Sequence, residues 1–456
     1  STIFSEYLSA LLAHGVSIEY FIEGTRSRTG RLLEPKAGML AMTIKSYINE
    51  RNKPLMFQPA HVNYEKLMEG SSYQNELGGK SKKGETLRGL FKARKLLKQD
   101  YGRLTVNFGK PIFLDDLLDK YKPNWREITL NHNKKPDWFK SLVNDCGKEI
   151  MQRINAAAHV NPINLLAITL LSTPNHSAGV ENLAQQIEFY KDLVILLPYS
   201  SRVTVTSLDT QEIFDLGIKL GFVEIVPHEL GDVIRVKKEQ GTLLTYYRNN
   251  ILHLFAISSF IAMSLVNQRQ LQRREILRLM GVIYPYVKKE LYLHWSKEEF
   301  LDYGRETLNF LKQQGLLKSA SRTVERHAGG TIEAGKLRVL ANALMQTYER
   351  FFLVIAVLSK SGSKQLTVPQ LETLCHKTAS KLNLLYGFNS PDFFDKSLFK
   401  SFIANLKTEQ VIETDTDGKI IFTENLKTFY LGGKKLLSRR IRHSVLNLLE
   451  PKKTSK

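Results

Sequence analysis

The period of the hydrophobic pattern changes about a quarter of the way along the chain, and that change limits which architectures are open to it. Val16 to Ile22 is short, β-branched and aromatic, the composition of a strand. A polar loop from Glu23 to Gly38 follows, and then an apolar stripe of Leu40, Ile44, Tyr47 and Ile48 at helical spacing. Leu55 to Tyr64 reads as a second strand, and Leu104 to Phe108 as a third, ended by Gly109-Lys110-Pro111. Strands separated by a helix predict an α/β unit, a mostly parallel or mixed sheet flanked by helices. Beyond a charged, proline-bearing loop from Lys120 to Asp137 the period becomes helical, with stripes through 182–193, 209–220, 246–266, 271–294, 337–359 and 368–385. A β-like insert, Val223 to Val236 followed by Leu243 and Leu244, interrupts them, and Thr173-Pro174 and Ser177 have the form of helix starts. The expected domains are therefore 1–125, α/β, and 126–456, mainly α-helical with a short β insert near 223–244.

Charge narrows the function classes. The 456 residues carry 65 Lys+Arg against 45 Asp+Glu, a formal +20. Residues 1–150 hold 25 basic and 17 acidic side chains, so the excess is spread and is not a terminal arm. Such a balance suits a polyanionic neighbour: nucleic acid, an anionic membrane face or a phosphorylated substrate. The densest run, Lys80 to Lys98, has eight basic residues against Glu85 alone; a solvated helix face is the bland reading. With only Cys146 and Cys375, a disulfide scaffold or thiolate zinc site is excluded, and no metal cluster is visible. The longest apolar stretch, Ile251 to Val266, has 16 residues including His253 and three serines. That is short of the roughly 20 that span a bilayer, so a buried helix is expected, with an interfacial membrane element the alternative. At the head of the chain Phe4, Tyr7, Leu8, Leu11 and Leu12 form a helical stripe with no initiator Met before it. A natural N-terminus upstream of Ser1 is the expectation.

One stretch carries chemistry: Phe21-Ile22-Glu23-Gly24-Thr25-Arg26-Ser27-Arg28-Thr29-Gly30-Arg31. It falls between a predicted strand and a predicted helix, the crevice where open α/β sheets place ligands. Arg26 and Arg28, with hydroxyls beside and between them, can converge on one small anion, since guanidinium forks match phosphate oxygens bidentately. Gly24 and Gly30 permit torsions or close approaches that a side chain blocks. Lys36 and the first turn of the following helix add a charge and free N–H groups.

The string FIEGTRSRTGRLLEPKAGML closely resembles the third conserved block of the glycerolipid acyltransferases, Phe-x-Glu-Gly-Thr/Gly-Arg-Ser-Arg. Phe57 to Glu65, FQPAHVNYE, is similar to their fourth block, and further likenesses run through Val106–Gly109, Leu244–Asn250 and Pro391–Lys396. The likeness covers nearly the whole chain and is specifically to the long, membrane-bound glycerol-3-phosphate acyltransferases of bacteria, the PlsB type. It implies transfer of a fatty acyl group from a coenzyme A or acyl carrier protein thioester to the 1-hydroxyl of glycerol 3-phosphate, the first step of phospholipid synthesis, without cofactor or metal. It implies that Glu23, Gly24, Thr25, Arg26, Ser27, Arg28 and Lys36 form the glycerol-phosphate side, with Arg26 and Arg28 on the phosphate and Glu23 bracing an arginine or the loop backbone. Pro59, His61, Tyr64 and Glu65 fall on the acyl-donor side. It further implies a peripheral place on the cytoplasmic face of the inner membrane, an anionic membrane surface as partner, no nucleic acid, and room for a homo-oligomer.

The family's base and its orienting acid form a His-x4-Asp block upstream of the third block, and this sequence starts too late to contain it. An N-terminally truncated chain, inactive alone and with no catalytic residue of its own, is the resulting expectation. His132 to Asp137 meets that spacing literally, but it follows the third block and lies in the charged loop, so it is read as chance. His61 has Lys66 at its +5 position and is read as structural. Dihydroxyacetone phosphate or a lysophospholipid as acceptor stays open, as do a basic nucleic-acid-binding protein and a helical platform without activity.

Overall fold

A computed structural model describes residues 2–51, 53–68, 70, 99–130, 136–320, 322–386, 391–422 and 424–436. The N-terminal portion contains α1 (Thr2–Ala13), α2 (Ala37–Glu50), β1 (Met56–Phe57), β2 (Ala60–Tyr64), β3 (Leu104–Phe108), β4 (Ile112–Phe113), α3 (Leu114–Tyr121) and α4 (Asp137–Asn155). The helical stripe of α2 is buried as its spacing requires: Leu40, Ile44, Tyr47 and Ile48 all face a core shared with Leu114 and Leu118 of α3 and with α4. The Lys80–Lys98 run and His132 lie outside the described residues.

The sheet is fragmentary among the described residues. β1 pairs antiparallel with β4, and β2 pairs antiparallel with β3, Val62 opposite Val106. Val16 to Ile22, predicted as a strand, forms no ladder among the described residues, and Phe21 stands 78% exposed. Its β-branched composition suits a pleated surface, yet a strand exists only where a neighbour takes its backbone groups, and those nearby pair with one another. The expected Leu55–Tyr64 strand breaks into β1 and β2 at Gln58-Pro59, where Pro59 lacks the N–H a continuous ladder needs. One face of the β2–β3 ribbon, Val62, Tyr64, Leu104, Val106 and Phe108, is apolar and exposed.

The second portion is helical: α5 (Pro162–Leu170), α6 (Val180–Leu196), α7 (Thr210–Lys219), α8 (Gly241–Ile251), α9 (Ala256–Val266), α10 (Arg273–Leu291), α11 (Lys297–Gln313), α12 (Ile332–Ser361), α13 (Val368–Tyr386), α14 (Lys396–Thr408) and α15 (Glu424–Leu436). Capping boxes at Asp209/Glu212 and Ser296/Glu299 set the starts of α7 and α11. Thr173-Pro174 does not open a long helix. It starts a three-residue 3-10 turn, Thr173 Oγ1 donates back to Leu170, and Ser177 begins a short strand. The β insert is a three-stranded sheet in which Val233–Val236 pairs with both Ser177–Gly179 and Val223–Val226; Leu243 and Leu244 belong to α8.

The Ile251–Val266 stretch becomes one 3-10 turn and α9. By length and composition the run Lys238–Val266 could cross a membrane, but 89% of its apolar window is inside the protein. α9 lies along α12, with Ser259 Oγ donating to Ala341 O at 3.1 Å and Tyr348 OH donating to Ala256 O at 3.3 Å. It is a core helix.

The buried apolar residues form two cores. The N-terminal core takes in Phe139, Leu142, Val143, Cys146, Ile150 and Met151 of α4, and the second core begins at Ala158. The expected boundary at 125 rested on the charged loop 120–137. Among that loop's described residues, Trp125 and Leu130 are buried in the N-terminal core. Asn155 Nδ2 donates to Leu291 O at 2.7 Å and His253 Nε2 donates to Asn155 O at 3.1 Å, joining the two cores.

Leu353 of α12 is fully buried against this centre. We expect Leu353→Ala to cost about 2–5 kcal/mol, read as a lowered urea midpoint with an unchanged m-value.

Candidate functional site: a basic loop at the head of a helix

The loop 21–36 is shaped by two glycines. Gly24 has φ +65° and closes a turn, its N–H donating to Phe21 O at 2.9 Å. Lys36 N donates to Ile22 O at 2.8 Å, and the Lys36 stem packs over Gly24. The chain thus returns on itself and delivers Lys36 as the residue before α2, whose first N–H groups have no side-chain cap. Gly30, at φ +76°, is pressed on the Tyr246 carbonyl of α8 so closely that any Cβ would collide with backbone.

Between these glycines the side chains differ in exposure. Thr25 and Arg26 are exposed, and Ser27 and Arg28 are half-buried. Ser27 Oγ is buried with no hydrogen-bond partner among the described residues. Glu23 turns inward and accepts from Leu33 N at 3.2 Å, so it braces the loop backbone. Burial pushes its carboxyl up to about 7, against the opposing pull of the Leu33 N–H. Glu23, Gly24 and Lys36 therefore meet at one turn, with Arg26 and Arg28 on the excursion that leaves it.

The far end of the loop is anchored in the helical core. Thr29 O accepts from Asn249 Nδ2 at 2.8 Å. Arg31 is buried and spends its fork on three elements. Nε and Nη2 reach Asp392 Oδ2 at 2.9 and 2.7 Å, Nη1 reaches Glu290 Oε1 of α10 at 2.7 Å, and Nη2 reaches Thr347 Oγ1 of α12 at 3.0 Å. Arg350 ion-pairs with Glu290 and donates to Asp392 O at 3.2 Å, while Arg248 approaches Asp392 Oδ1 at 3.4 Å. Burial opposes the charge on Arg31, but Asp392 and Glu290 outweigh it and hold its pKa above the usual guanidinium range. Tyr292 OH donates to Leu33 O at 3.2 Å, a further tie.

The second block of candidate residues is mainly architectural. Pro59 O accepts from Gly109 N at 2.8 Å. His61 is buried and pushed down to about 4, first by burial and then by His159, so it is neutral at pH 7. Its Nδ1 has no hydrogen-bond partner among the described residues. Glu65 is committed to the hairpin end, where its carboxylate accepts from Arg103 N at 2.7 Å and packs against Gly102; it is not a free group on the donor side. Tyr64 is exposed on the apolar ribbon face. Asn63, which sequence reasoning gave no role, donates to His159 O at 2.6 Å and Asn164 Oδ1 at 2.8 Å, tying β2 to the head of α5. Of the chance pair only Asp137 lies among the described residues, where it opens α4 at the surface and pairs with Lys140 at 3.2 Å. Among the described residues no group of three His, Cys, Asp or Glu is placed to hold a metal ion.

A family profile described as "Glycerol-3-phosphate acyltransferase C-terminal region" matches residues 73–415, and one described as "Acyltransferase" matches residues 1–59. The chain belongs to the glycerol-3-phosphate acyltransferase family. It is similar to proteins of that name from Xylella fastidiosa (42% identical over 450 residues), Xanthomonas campestris (43% over 450) and Pseudomonas paraeruginosa (37% over 446). Each comparison covers 98% of this chain but 52%, 51% and 54% of the relative, so the chain spans about half the length of the curated relatives it matches. The acyltransferase profile contains the whole 23–36 loop. The C-terminal profile contains every helical residue that grips Arg31.

The Arg31 cluster is what sequence reasoning missed. Leu244–Asn250 and Pro391–Lys396 stood out as family-like strings, but nothing local showed that Asn249, Arg248 and Asp392 would converge on Arg31.

Glu23 makes a pH prediction. The folded state keeps a proton up to about pH 7 that an unfolded carboxylic acid releases near 4.5. Stability therefore falls as pH rises through that window and levels off above it. Glu349, pushed up to about 8 by burial, acts in the same direction. Buried histidines held below their ordinary value, His61 and His253 foremost, oppose this slope below about pH 6.5. The test is therefore differential: the thermal midpoint of Glu23→Gln minus that of the unsubstituted chain should rise between pH 5 and pH 7, and a difference independent of pH would exclude the raised Glu23 carboxyl.

Proposed function

We propose that this chain carries the acceptor-phosphate side of a glycerol-3-phosphate 1-O-acyltransferase. The observation that carries the reading is the basic loop Glu23–Arg28, held outward by two glycines at the head of α2 in a member of that family. Arg26, Arg28 and Lys36, with the open N–H groups of α2, supply the charge and donors that a phosphomonoester requires. In the reaction the acceptor hydroxyl oxygen attacks the thioester carbonyl, the carbon–sulfur bond breaks, and the thiol of coenzyme A or acyl carrier protein leaves with the proton. The attack needs a base. The one histidine ahead of the loop, His14, has Glu19 at +5 and directs Nδ1 to its own helix at Ala10 O, so it does not match a His-x4-Asp pair. In that step the Glu23–Arg28 loop binds and orients the acceptor.

On the donor side, the exposed apolar face of β2–β3, with Tyr64 beside Val62 and Val106, is suited to lie along a fatty acyl chain. The phosphate site would also admit dihydroxyacetone phosphate or a lysophospholipid.

Arg28→Ala tests the assignment in the full-length protein. Losing a charge-assisted contact costs about 1.5–3 kcal/mol, roughly 10- to 150-fold in binding. The KM for glycerol 3-phosphate should rise by that order with the KM for palmitoyl-CoA unchanged. A rise confined to the donor KM would remove Arg28 from the phosphate.

We also propose peripheral attachment to the cytoplasmic face of the inner membrane, supported by the +20 charge and the lipidic product. With α9 buried, the attachment is electrostatic. Binding to phosphatidylglycerol vesicles should therefore weaken steeply with salt and leave no salt-resistant fraction attributable to that helix. Cosedimentation with anionic and neutral vesicles across a salt series checks this; equal binding to both would exclude it.

A further inference from the structure

We propose that Arg31 is the positioning residue of the anion-binding loop, through which the C-terminal helices set where Arg26 and Arg28 point. The inference rests on the phosphate reading for its ligand, but the positioning itself is a property of the fold.

Among the described backbone hydrogen bonds, Gly24 N to Phe21 O and Lys36 N to Ile22 O fix the base of the loop. The tip is fixed from the other side. Asn249 holds Thr29 O, the Tyr246 carbonyl receives Gly30, and Arg31 is clamped by Asp392, Glu290 and Thr347. Arg31 is three residues from Arg28. A shift of its guanidinium is therefore carried into the basic excursion over a very short length of chain, with Gly30 between them unable to absorb it because it is seated on backbone.

The acceptors come from three separate pieces of chain: α10, α12 and the 3-10 turn Pro391–Phe394. Only a planar fork with donors on several edges can reach all three at once. A lysine at this position keeps the charge but presents one ammonium to one or two of them. Charge alone is then insufficient, and this separates positioning from simple ion pairing.

The test uses the 456-residue chain with Arg31→Lys and, as a milder variant that keeps every charge, Thr347→Val. Hydrogen exchange is followed along the chain, and glycerol 3-phosphate binding is measured by calorimetry. We expect amides 24–30 to exchange about tenfold faster in Arg31→Lys and less so in Thr347→Val, while α9 and α12 keep their protection. Affinity for glycerol 3-phosphate should fall by about tenfold, which corresponds to about 1.4 kcal/mol. Unchanged exchange at 24–30 in folded variants would overturn the inference. So would faster exchange spread evenly over α9, α12 and the loop, since that is the mark of a merely structural residue. If the wild-type chain binds no glycerol 3-phosphate while the loop-restricted exchange change is seen, positioning stands and the phosphate reading falls.

Discussion

The ionic cluster around Arg31 is the constraint on which the arrangement of this molecule turns. Three guanidiniums, Arg31, Arg248 and Arg350, share two carboxylates, Asp392 and Glu290, at places almost without solvent. Taking such charges out of water costs several kcal/mol per ion, and only close geometry with further hydrogen bonds offsets it. Here the extra bonds come from Thr347, Asn249 and the Asp392 carbonyl. Such a cluster contributes little net stability compared with an apolar core, but removing one partner strands the rest. It therefore holds the N-terminal loop, α8, α10, α12 and the 391–394 turn to a single mutual arrangement.

The rest of the architecture is consistent with this division of labour. Hydrophobic burial supplies the driving force in two cores, one around α2, α3 and α4, the other around α9 and α12. Polar contacts decide how the two are seated together. Asn155 reaches Leu291 and His253, Asn63 reaches the head of α5, and Arg31 reaches the centre of the helical region. Apolar surfaces slide with little cost, whereas a buried amide or guanidinium must meet its partners. The basic excursion at Arg26 and Arg28 is held by the second kind of contact, which suits a site that must present charge in one geometry.

Much of the fold was legible in the amino-acid string. α2, β3, α6, α7, α10, α12 and α13 lie where a 3.6- or 2-residue period places them, because one-sided burial imposes that period locally, whereas α11 falls in none of the expected stripes and the 246–266 stripe divides at a 3-10 turn. Local pattern and the family likeness also suggest Glu23 as a brace and His61 as structural, while the burial that keeps His61 neutral belongs to the fold. The misreadings share a cause. Val16–Ile22 has strand composition without a ladder partner among the described residues, and Thr173-Pro174 has cap chemistry with only a three-residue 3-10 turn to cap. In each case the local signal was genuine and a distant part of the chain withheld the completion.

The sequence by itself determined the secondary-structure periods, the family, and the basic loop as the candidate anion site, since all three are carried by residues a few positions apart. Only the tertiary structure decided that Glu65 serves the hairpin, that the Ile251–Val266 stretch is a core helix, and that Glu23 titrates near neutrality. It alone joined Arg31 to residues 259 and 361 positions away. Burial and ion pairing depend on which remote segments arrive together, and no spacing along the chain encodes that meeting.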